Sequence, residues 1–138
     1  MKIFRKDVSD RTEEQIINEI ELQNIAHNHL NCTPKIINTD YKTYIEMEDL
    51  EEMCIADMYG EDINSVPEHI KDKIYNIIIE LYLECDIEYT DITPYNFIEK
   101  NSTVYIIDFG DAKLVKKNWF LKEVFVHKKI NEWNPDFK

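Results

Sequence analysis

The stretch that decides the fold runs from residue 89 to residue 110 and reads YTDITPYNFIEKNSTVYIIDFG. It begins with a polar loop, in which Asp91 precedes Asn96 by five residues, and continues into an apolar strand predicted at 103–107. That strand leads into Asp108, which follows Asp91 by seventeen residues. An Asp-containing turn after an apolar strand is ordinary structure by itself. The combination of Asp91, Asn96 and Asp108 in this order is more specific and makes the stretch a candidate functional site.

A long helix is predicted before this loop. Ser65 and Glu68 have the spacing of a capping box, and Pro67 would lie in the first helical turn. Apolar residues then follow the period of a helix that buries one face, at Ile70, Ile74, Ile77, Ile78 and Leu81. The helix is expected to end near Cys85, so that the loop of residues 89–96 follows its C-terminal end.

The N-terminal part of the chain predicts short strands around a second helix. Residues 2–5 alternate polar and apolar side chains, as in a strand, and two further strands are predicted at 35–37 and 43–47. Thr12 and Gln15 form a capping-box pattern that begins a helix. Its apolar side is expected to contain Ile16, Ile17 and Ile20. The polar segment 49–65 is expected to be an irregular connector between two layers.

Residues 89–110 resemble the catalytic loop and magnesium motif of protein kinases, in which an Asp is followed by an Asn and, after a strand, by Asp-Phe-Gly. The resemblance implies that Asp91 orients the hydroxyl group that accepts the phosphoryl group. It also implies that Asn96 and Asp108 hold Mg²⁺ against the phosphates of ATP. These residue types suit phosphoryl transfer, which needs a carboxylate at the hydroxyl and hard oxygen ligands for the metal.

The resemblance extends upstream over most of the chain. It implies that Lys2 is the strand lysine that binds the α- and β-phosphates, and that Glu19 in the first helix is its ion-pair partner. The alternative is that Lys2 belongs to a frayed N-terminus and Glu19 is one of many solvated helix carboxylates. The run Met47, Glu48, Asp49 and Leu50 resembles the gatekeeper and hinge of kinases. The resemblance implies that the backbone of this run contacts adenine.

The expected fold is therefore α+β, a truncated protein-kinase-like domain that spans residues 1–138. A small strand-plus-helix N-lobe that lacks the glycine-rich loop would occupy residues 1–48, and a reduced, mainly helical C-lobe residues 49–138. The motifs are more similar to those of atypical small kinases of the RIO type, and of the tRNA-modification kinase, than to those of large signalling kinases. Viral and bacterial effector kinases of minimal size are similar to this chain in having a reduced domain.

The chain also departs from the kinase pattern. The glycine-rich loop and the strands that carry it should precede the lysine strand, but the chain begins too late for them and contains only 2 glycines. Tyr89 and Thr90 occupy the positions where His and Arg are usual, and Thr93 replaces a lysine that is common in serine/threonine kinases. Only 28 residues follow Gly110, without an Ala-Pro-Glu motif, so the helices that dock peptides are expected to be missing.

Composition restricts the partners. The formal net charge of −12 makes duplex nucleic acid and anionic membranes poor partners for the whole molecule. No apolar run approaches the length of a membrane span, and no signal peptide is recognisable. The 3 cysteines are odd in number and form no Cys-x-x-Cys pair, so neither a disulfide framework nor a zinc site is indicated. A reduced, cytoplasmic compartment is expected.

The segment 113–129 is locally basic within this acidic chain. It is either a solvated face or a surface that attracts an acidic partner, RNA or substrate phosphate. Four apolar residues in the same region are expected to seal the core rather than to form a docking site: Trp119, Phe120, Val124 and Phe125.

Two functions stay open. The first is an ATP- and Mg²⁺-dependent phosphotransferase, a minimal serine/threonine protein kinase that acts on a hydroxyl of a protein substrate. The second is a pseudokinase or interaction module that regulates a partner protein without phosphoryl transfer, which the missing glycine-rich loop favours. In either case the strand that contains Lys2 would be an exposed sheet edge, and such an edge invites pairing into a homodimer.

Overall fold

The structure, a computed structural model, describes residues 2–114, 130 and 132–134 and has an α+β fold. The helices are α1 (Glu13–Leu30), α2 (Ile55–Tyr59) and α3 (Glu68–Cys85), with a 3-10 turn at Ile63–Ser65. The strands are β1 (Ile3–Asp7), β2 (Ile36–Thr39), β3 (Tyr44–Glu48), β4 (Ile87–Glu88), β5 (Phe97–Lys100), β6 (Thr103–Ile106) and β7 (Lys113–Leu114). None of the described helices is long and apolar enough to cross a membrane.

The N-terminal strands form an antiparallel sheet in the order β1-β3-β2. Strand β1 pairs with β3 along its whole length, from Ile3 opposite Glu48 to Asp7 opposite Tyr44. The other edge strand, β2, contains an irregularity in its register between residues 36 and 38. The three strands predicted in this region are thus confirmed, with ends shifted by one or two residues, and no strand among the described residues pairs with the outer edge of β1.

Helix α1 begins as the sequence predicts. The Thr12 side chain accepts a hydrogen bond from the backbone N–H of Gln15, and the Gln15 side chain accepts one from the backbone N–H of Thr12. Ile16 and Ile20 are buried, whereas Ile17 is 38 % exposed. Because consecutive residues of a helix are turned by about 100°, Ile17 faces away from the sheet. Its assignment to the apolar face is wrong.

The capping box predicted for helix α3 is also wrong. Ser65 belongs to the 3-10 turn, and its backbone N–H donates to the carbonyl of Asp62. The helix begins at Glu68, with Pro67 as N-cap and no side-chain hydrogen bond at the cap. The apolar face of the helix is confirmed, because its buried residues are Ile70, Ile74, Ile78, Leu81 and Cys85.

Two clusters of buried side chains hold the layers together. The smaller cluster lies between the sheet and helix α1 and consists of Val8, Ile16, Ile20, Ile45 and Met47. The larger cluster surrounds α3 and includes three aromatic residues of the stretch 89–110, namely Tyr89, Phe97 and Phe109. The candidate site is therefore built on the larger cluster and faces elements that belong to the smaller one.

The connector 49–65 is more ordered than the sequence suggests. It contains helix α2, whose Ile55 is fully buried. The backbone N–H of Ala56 donates to the carbonyl of Pro94, and Cys54 forms an isolated antiparallel bridge with Ile98. These contacts with the segment 94–98 stabilise a helix too short to show a clear sequence period.

Part of the C-terminal region lies outside the described residues. The interpretations given above for Trp119, Phe120, Val124 and Phe125, and for most of the basic segment 113–129, fall on it. Of the described residues beyond it, Ile130 and Trp133 are buried in the larger cluster.

Helix α3 offers a matched pair of leucines that tests the core. Leu81 is fully buried and Leu83 is 70 % exposed. We expect Leu81→Ala to lower the free energy of unfolding by about 2–5 kcal/mol, since it leaves a cavity. Leu83→Ala should change it by less than about 0.5 kcal/mol. Urea unfolding measures both, and equal losses would contradict the burial of this face.

Candidate functional site

A lysine and two carboxylates form the centre of the site. Lys6, on strand β1, donates to Oε2 of Glu19 on helix α1 and to Oδ1 of Asp108, the latter at 3.1 Å. Glu19 is completely buried, and the Lys6 side chain is 22 % exposed. One ammonium group thus joins the sheet, helix α1 and the turn that follows β6.

The predicted pairing of Lys2 with Glu19 is wrong. Lys2 lies just before strand β1, and its Nζ is 3.3 Å from Oε1 of Glu51, with a side chain that is 75 % exposed. Lys2 and Lys6 share one face of the strand, because side chains alternate. The register with β3 places Lys6 opposite Ile45, beside helix α1, and leaves Lys2 beyond the ladder. Glu19 is paired as expected, but with a different lysine.

The electrostatics of Lys6 follow from its two partners. Burial by itself lowers the pKa of the ammonium, but the negative charges of Asp108 and Glu19 more than offset burial and raise the pKa above its usual value. Lys6 is therefore held as a cation in a partly buried position. Oε1 of Glu19 is buried without a hydrogen-bond partner among the described residues, so Glu19 depends on Lys6 for its stabilisation.

Asp108 begins a tight turn after β6. Its Oδ1 accepts a hydrogen bond from the backbone N–H of Gly110 at 2.7 Å, as well as the bond from Lys6. A Cβ atom on Gly110 would lie 3.0 Å from that same oxygen. Glycine is thus needed here for close approach, which explains one of the 2 glycines of the chain.

Asp91 and Asn96 are brought together by the loop between β4 and β5. The side-chain amide of Asn96 donates to the Asp91 carbonyl at 2.8 Å and to Asp91 Oδ2 at 2.9 Å. The backbone N–H of Ile107 donates to the carbonyl of Asn96 at 3.0 Å. Since Ile107 directly precedes Asp108, this bond places Asn96 beside the turn that carries Asp108.

Tyr89 packs beneath this loop. It is fully buried, and its ring makes edge-on contacts with Phe97 and Phe109, with centroids 6.1 and 5.6 Å apart. Burial raises the pKa of its hydroxyl well above the usual value, and the nearby carboxylates of Asp108 and Asp91 raise it further. The tyrosine is therefore neutral, and it joins the loop to the Asp108 turn through apolar contact.

Asn134 is a site residue that sequence reasoning missed. Its backbone N–H donates to the carbonyl of Ile92 at 2.8 Å, and its side chain hydrogen-bonds to Asp91. The neighbouring Trp133 donates from its indole to the carbonyl of Glu61 at 3.0 Å. No motif or spacing in the sequence connects Asn134 with the loop, so only the three-dimensional structure could identify it.

The ionisation of Asp91 reflects these surroundings. Burial raises the pKa of its carboxyl above the usual value, and the charges of Asp111 and Asp108 act in the same direction. Hydrogen bonds from Asn96 and Asn134 oppose the rise. The result is a carboxylate that is more basic than an ordinary aspartate and is oriented by two amides.

The four predicted hinge residues lie together on one cavity. Met47, Glu48, Asp49 and Leu50 line a space of about 230 Å³. The remaining lining residues are Phe4, Pro34, Glu52, Ile98 and Ile107. The backbone N–H of Asp49 donates to the carbonyl of Lys2, and that of Glu48 to the carbonyl of Lys35. No hydrogen bond from the N–H of Leu50 to another described residue is found.

The donor set suits Mg²⁺ better than a metal that needs a protein cage. Among the described residues no group of three or more His, Cys, Asp or Glu side chains could hold a metal ion. Asn96 and Asp108 supply hard oxygens, and Mg²⁺ is usually held by one or two such groups together with phosphates and water. The residues present therefore fit Mg²⁺ that arrives with a nucleotide.

No protein-family model matches the sequence, and no curated protein matches it either. The function is therefore argued from the site itself.

The two lysines near β1 provide a test of the central ion cluster. Lys6→Met should destabilise the protein by about 3–5 kcal/mol, because it leaves the buried charge of Glu19 without its cation. Lys2→Met should cost less than about 0.5 kcal/mol, since Lys2 makes only an exposed ion pair. Urea unfolding measures both. Adding Glu19→Gln to Lys6→Met should recover part of the loss, and equal effects of the two lysine variants would contradict the cluster.

The raised pKa of Asp91 predicts a pH-dependent effect on stability. A raised pKa means that the folded state binds this proton more tightly than the unfolded state, so ionisation of Asp91 costs stability at pH 7. Asp91→Asn should therefore raise the free energy of unfolding at pH 7, and the gain should vanish below the ordinary Asp value of 3.8. Urea unfolding across this range, with exposed Asp72→Asn as control, checks the sign. A loss of stability at pH 7 would contradict it.

Proposed function

We propose that this protein is an ATP- and Mg²⁺-dependent phosphotransferase of the protein-kinase type that transfers the γ-phosphoryl group to a hydroxyl. The observation that carries the proposal is the hydrogen-bonded chain from Glu19 through Lys6 to Asp108. It stands beside Asp91 and Asn96, which supply a carboxylate for the acceptor and a second oxygen for the metal. Each of these groups has a defined task in phosphoryl transfer.

Lys6 takes the phosphate-binding task that the sequence had suggested for Lys2. Its ammonium is fixed by Glu19 and is kept protonated by its two carboxylate partners. Such a group can bind the oxygens of the α- and β-phosphates as a point charge. Bound Mg²⁺ would neutralise charge on the transferring phosphoryl group, and Asn96 and Asp108 are the residues that would hold it.

Asp91 is the candidate for orienting the acceptor hydroxyl. A positioned carboxylate whose pKa is raised towards the working pH is a better proton acceptor than an ordinary aspartate. The two amides that bond to Asp91 restrict its orientation and leave it partly exposed. This arrangement supports direct contact with a hydroxyl that enters from solvent.

The cavity beside Leu50 is the candidate site for adenine. Apolar side chains from β1, β5 and the segment before Asp108, namely Phe4, Ile98 and Ile107, supply surfaces for a planar base. The backbone N–H of Leu50, which bonds to no other described residue, is the donor that we assign to the edge of the base. A few polar groups on a mostly apolar wall are typical of nucleotide and other small-molecule sites.

The alternative is a pseudokinase or interaction module that regulates a partner protein. Residues 1–138 contain only Gly60 and Gly110, so no glycine-rich loop within them covers phosphates. In the part of the chain that the structure describes, no strand pairs with the outer edge of β1, and Ile3 and Phe4 are each about half exposed. A second copy paired along this edge, as a homodimer, belongs to this alternative, because open strand edges bind other strands.

The thiols are consistent with a reducing compartment, which is part of the proposal. The free cysteines among the described residues are Cys32, Cys54 and Cys85. Burial raises the pKa of the Cys32 thiol to about 12. Such a thiol stays protonated at neutral pH and is therefore not a nucleophile.

A nucleotide titration with three aspartate variants tests the function. MgATP at about one hundred times its Kd should stabilise the wild-type protein by about 2.7 kcal/mol, seen as a raised melting temperature. Asp91→Asn should keep this stabilisation and lose about 10²- to 10⁴-fold in phosphoryl transfer. Asp108→Asn should weaken MgATP binding itself. Exposed Asp72→Asn should change neither.

Each outcome selects one function. Stabilisation by MgATP together with transfer that depends on Asp91 supports the enzyme. Stabilisation without any transfer to protein substrates, and without autophosphorylation, supports a nucleotide-binding pseudokinase. An unchanged melting temperature at millimolar MgATP contradicts nucleotide binding and favours the interaction module.

A further inference from the structure

The turn that carries Asp108 is held to helix α1 by two side chains that no motif identifies. Arg11, just before the helix, donates from Nη2 to the carbonyl of Gly110 at 2.6 Å. Asn18, in the second turn of the helix, donates from Nδ2 to the carbonyl of Ala112 at 3.1 Å. Both bonds go to backbone oxygens, so they depend on where the turn lies rather than on its side chains.

Arg11 is itself fixed in place. Its backbone N–H donates to the carbonyl of Val8 at 3.0 Å, and it directly precedes the N-cap Thr12. Its Nε is buried without a partner among the described residues, which shows that the guanidinium is inserted against the turn instead of being solvated. A Cβ atom on Gly110 would lie 3.3 Å from Arg11 Nη2. The Arg11 guanidinium therefore lies in close contact with the backbone of Gly110.

We propose that Arg11 and Asn18 are positioning residues that keep the Asp108 turn docked on helix α1 and so set the affinity of the site for Mg²⁺ with nucleotide. This inference rests on the proposed function, because it assigns a metal to Asp108. Neither residue touches the reacting groups, and each acts through the backbone of residues 110–112.

Asn18 and Glu19 are consecutive residues of helix α1, and both help to hold the Asp108 turn. Asn18 binds the turn from one side, and the next residue, Glu19, pairs with Lys6, which in turn binds Asp108. Displacement of the turn would therefore break its bond with Asn18 and its bond with Lys6, the partner of Glu19.

Two variants with matched controls test the proposal. Arg11→Ala and Asn18→Ala remove the two donors, and their controls are Arg5→Ala and Asn24→Ala, which change the same residue types on β1 and on the exposed face of α1. The first readout, without ligand, is hydrogen exchange of the backbone amides of residues 107–113. The second is the Mg²⁺ concentration needed for half-maximal stabilisation by ATP.

We expect faster exchange in residues 107–113 for Arg11→Ala and Asn18→Ala, with unchanged exchange in helix α3. We also expect the required Mg²⁺ concentration to rise by about tenfold for Arg11→Ala, which loses a charge-assisted hydrogen bond, and by a smaller factor for Asn18→Ala, which loses a neutral one. Exchange in the variants equal to that in the controls would overturn the proposal.

The exchange readout separates this inference from the proposed function. If MgATP fails to stabilise the wild-type protein, the function is contradicted, and the inferred effect on metal affinity falls with it. If MgATP stabilises the wild-type protein and the two variants require no additional Mg²⁺, the function stands and the positioning role is overturned.

Discussion

The contact of Lys6 with Glu19 and Asp108 is the constraint on which the rest of the site depends. Glu19 is completely buried, and a buried carboxylate is tolerated only when a cation compensates its charge. That cation is held on strand β1, the carboxylate on helix α1 and the second acceptor on the turn after β6. One ammonium group therefore joins the sheet, helix α1 and the turn after β6, and the geometry of Asp108 follows from it.

The loop that carries Asp91 is fixed in a different way. Tyr89 anchors its beginning through aromatic contacts with Phe97 and Phe109, and Asn96 closes its end by bonding back to Asp91. Asn134 completes it from a distant part of the chain. Apolar packing thus holds the base of the loop, while amide donors orient its carboxylate, and the two requirements are met by different residues.

The sequence predicted what is encoded locally. The period of α3, the capping box of α1 and the order of Asp91, Asn96 and Asp108 are short-range patterns, and the structure brings the last three together. Lys6 could not be distinguished from Lys2 by pattern, because both lie on the same face of one strand and only pairing with β3 separates them. Arg11, Asn18 and Asn134 act through backbone carbonyls or long-range contacts, which leave no periodic signal.

The position of Trp133 and Asn134 has a consequence for biosynthesis. Both residues bind to segments that are made much earlier, around Glu61 and the loop at Asp91. Since a chain is synthesised from its N-terminus and folds as it emerges, helix α3 and both strands that flank the Asp108 turn can assemble first. The loop at Asp91 acquires its hydrogen bonds from Asn134 only after residues 130–134 have left the ribosome, so the surroundings of the Asp91 carboxyl are completed late in synthesis.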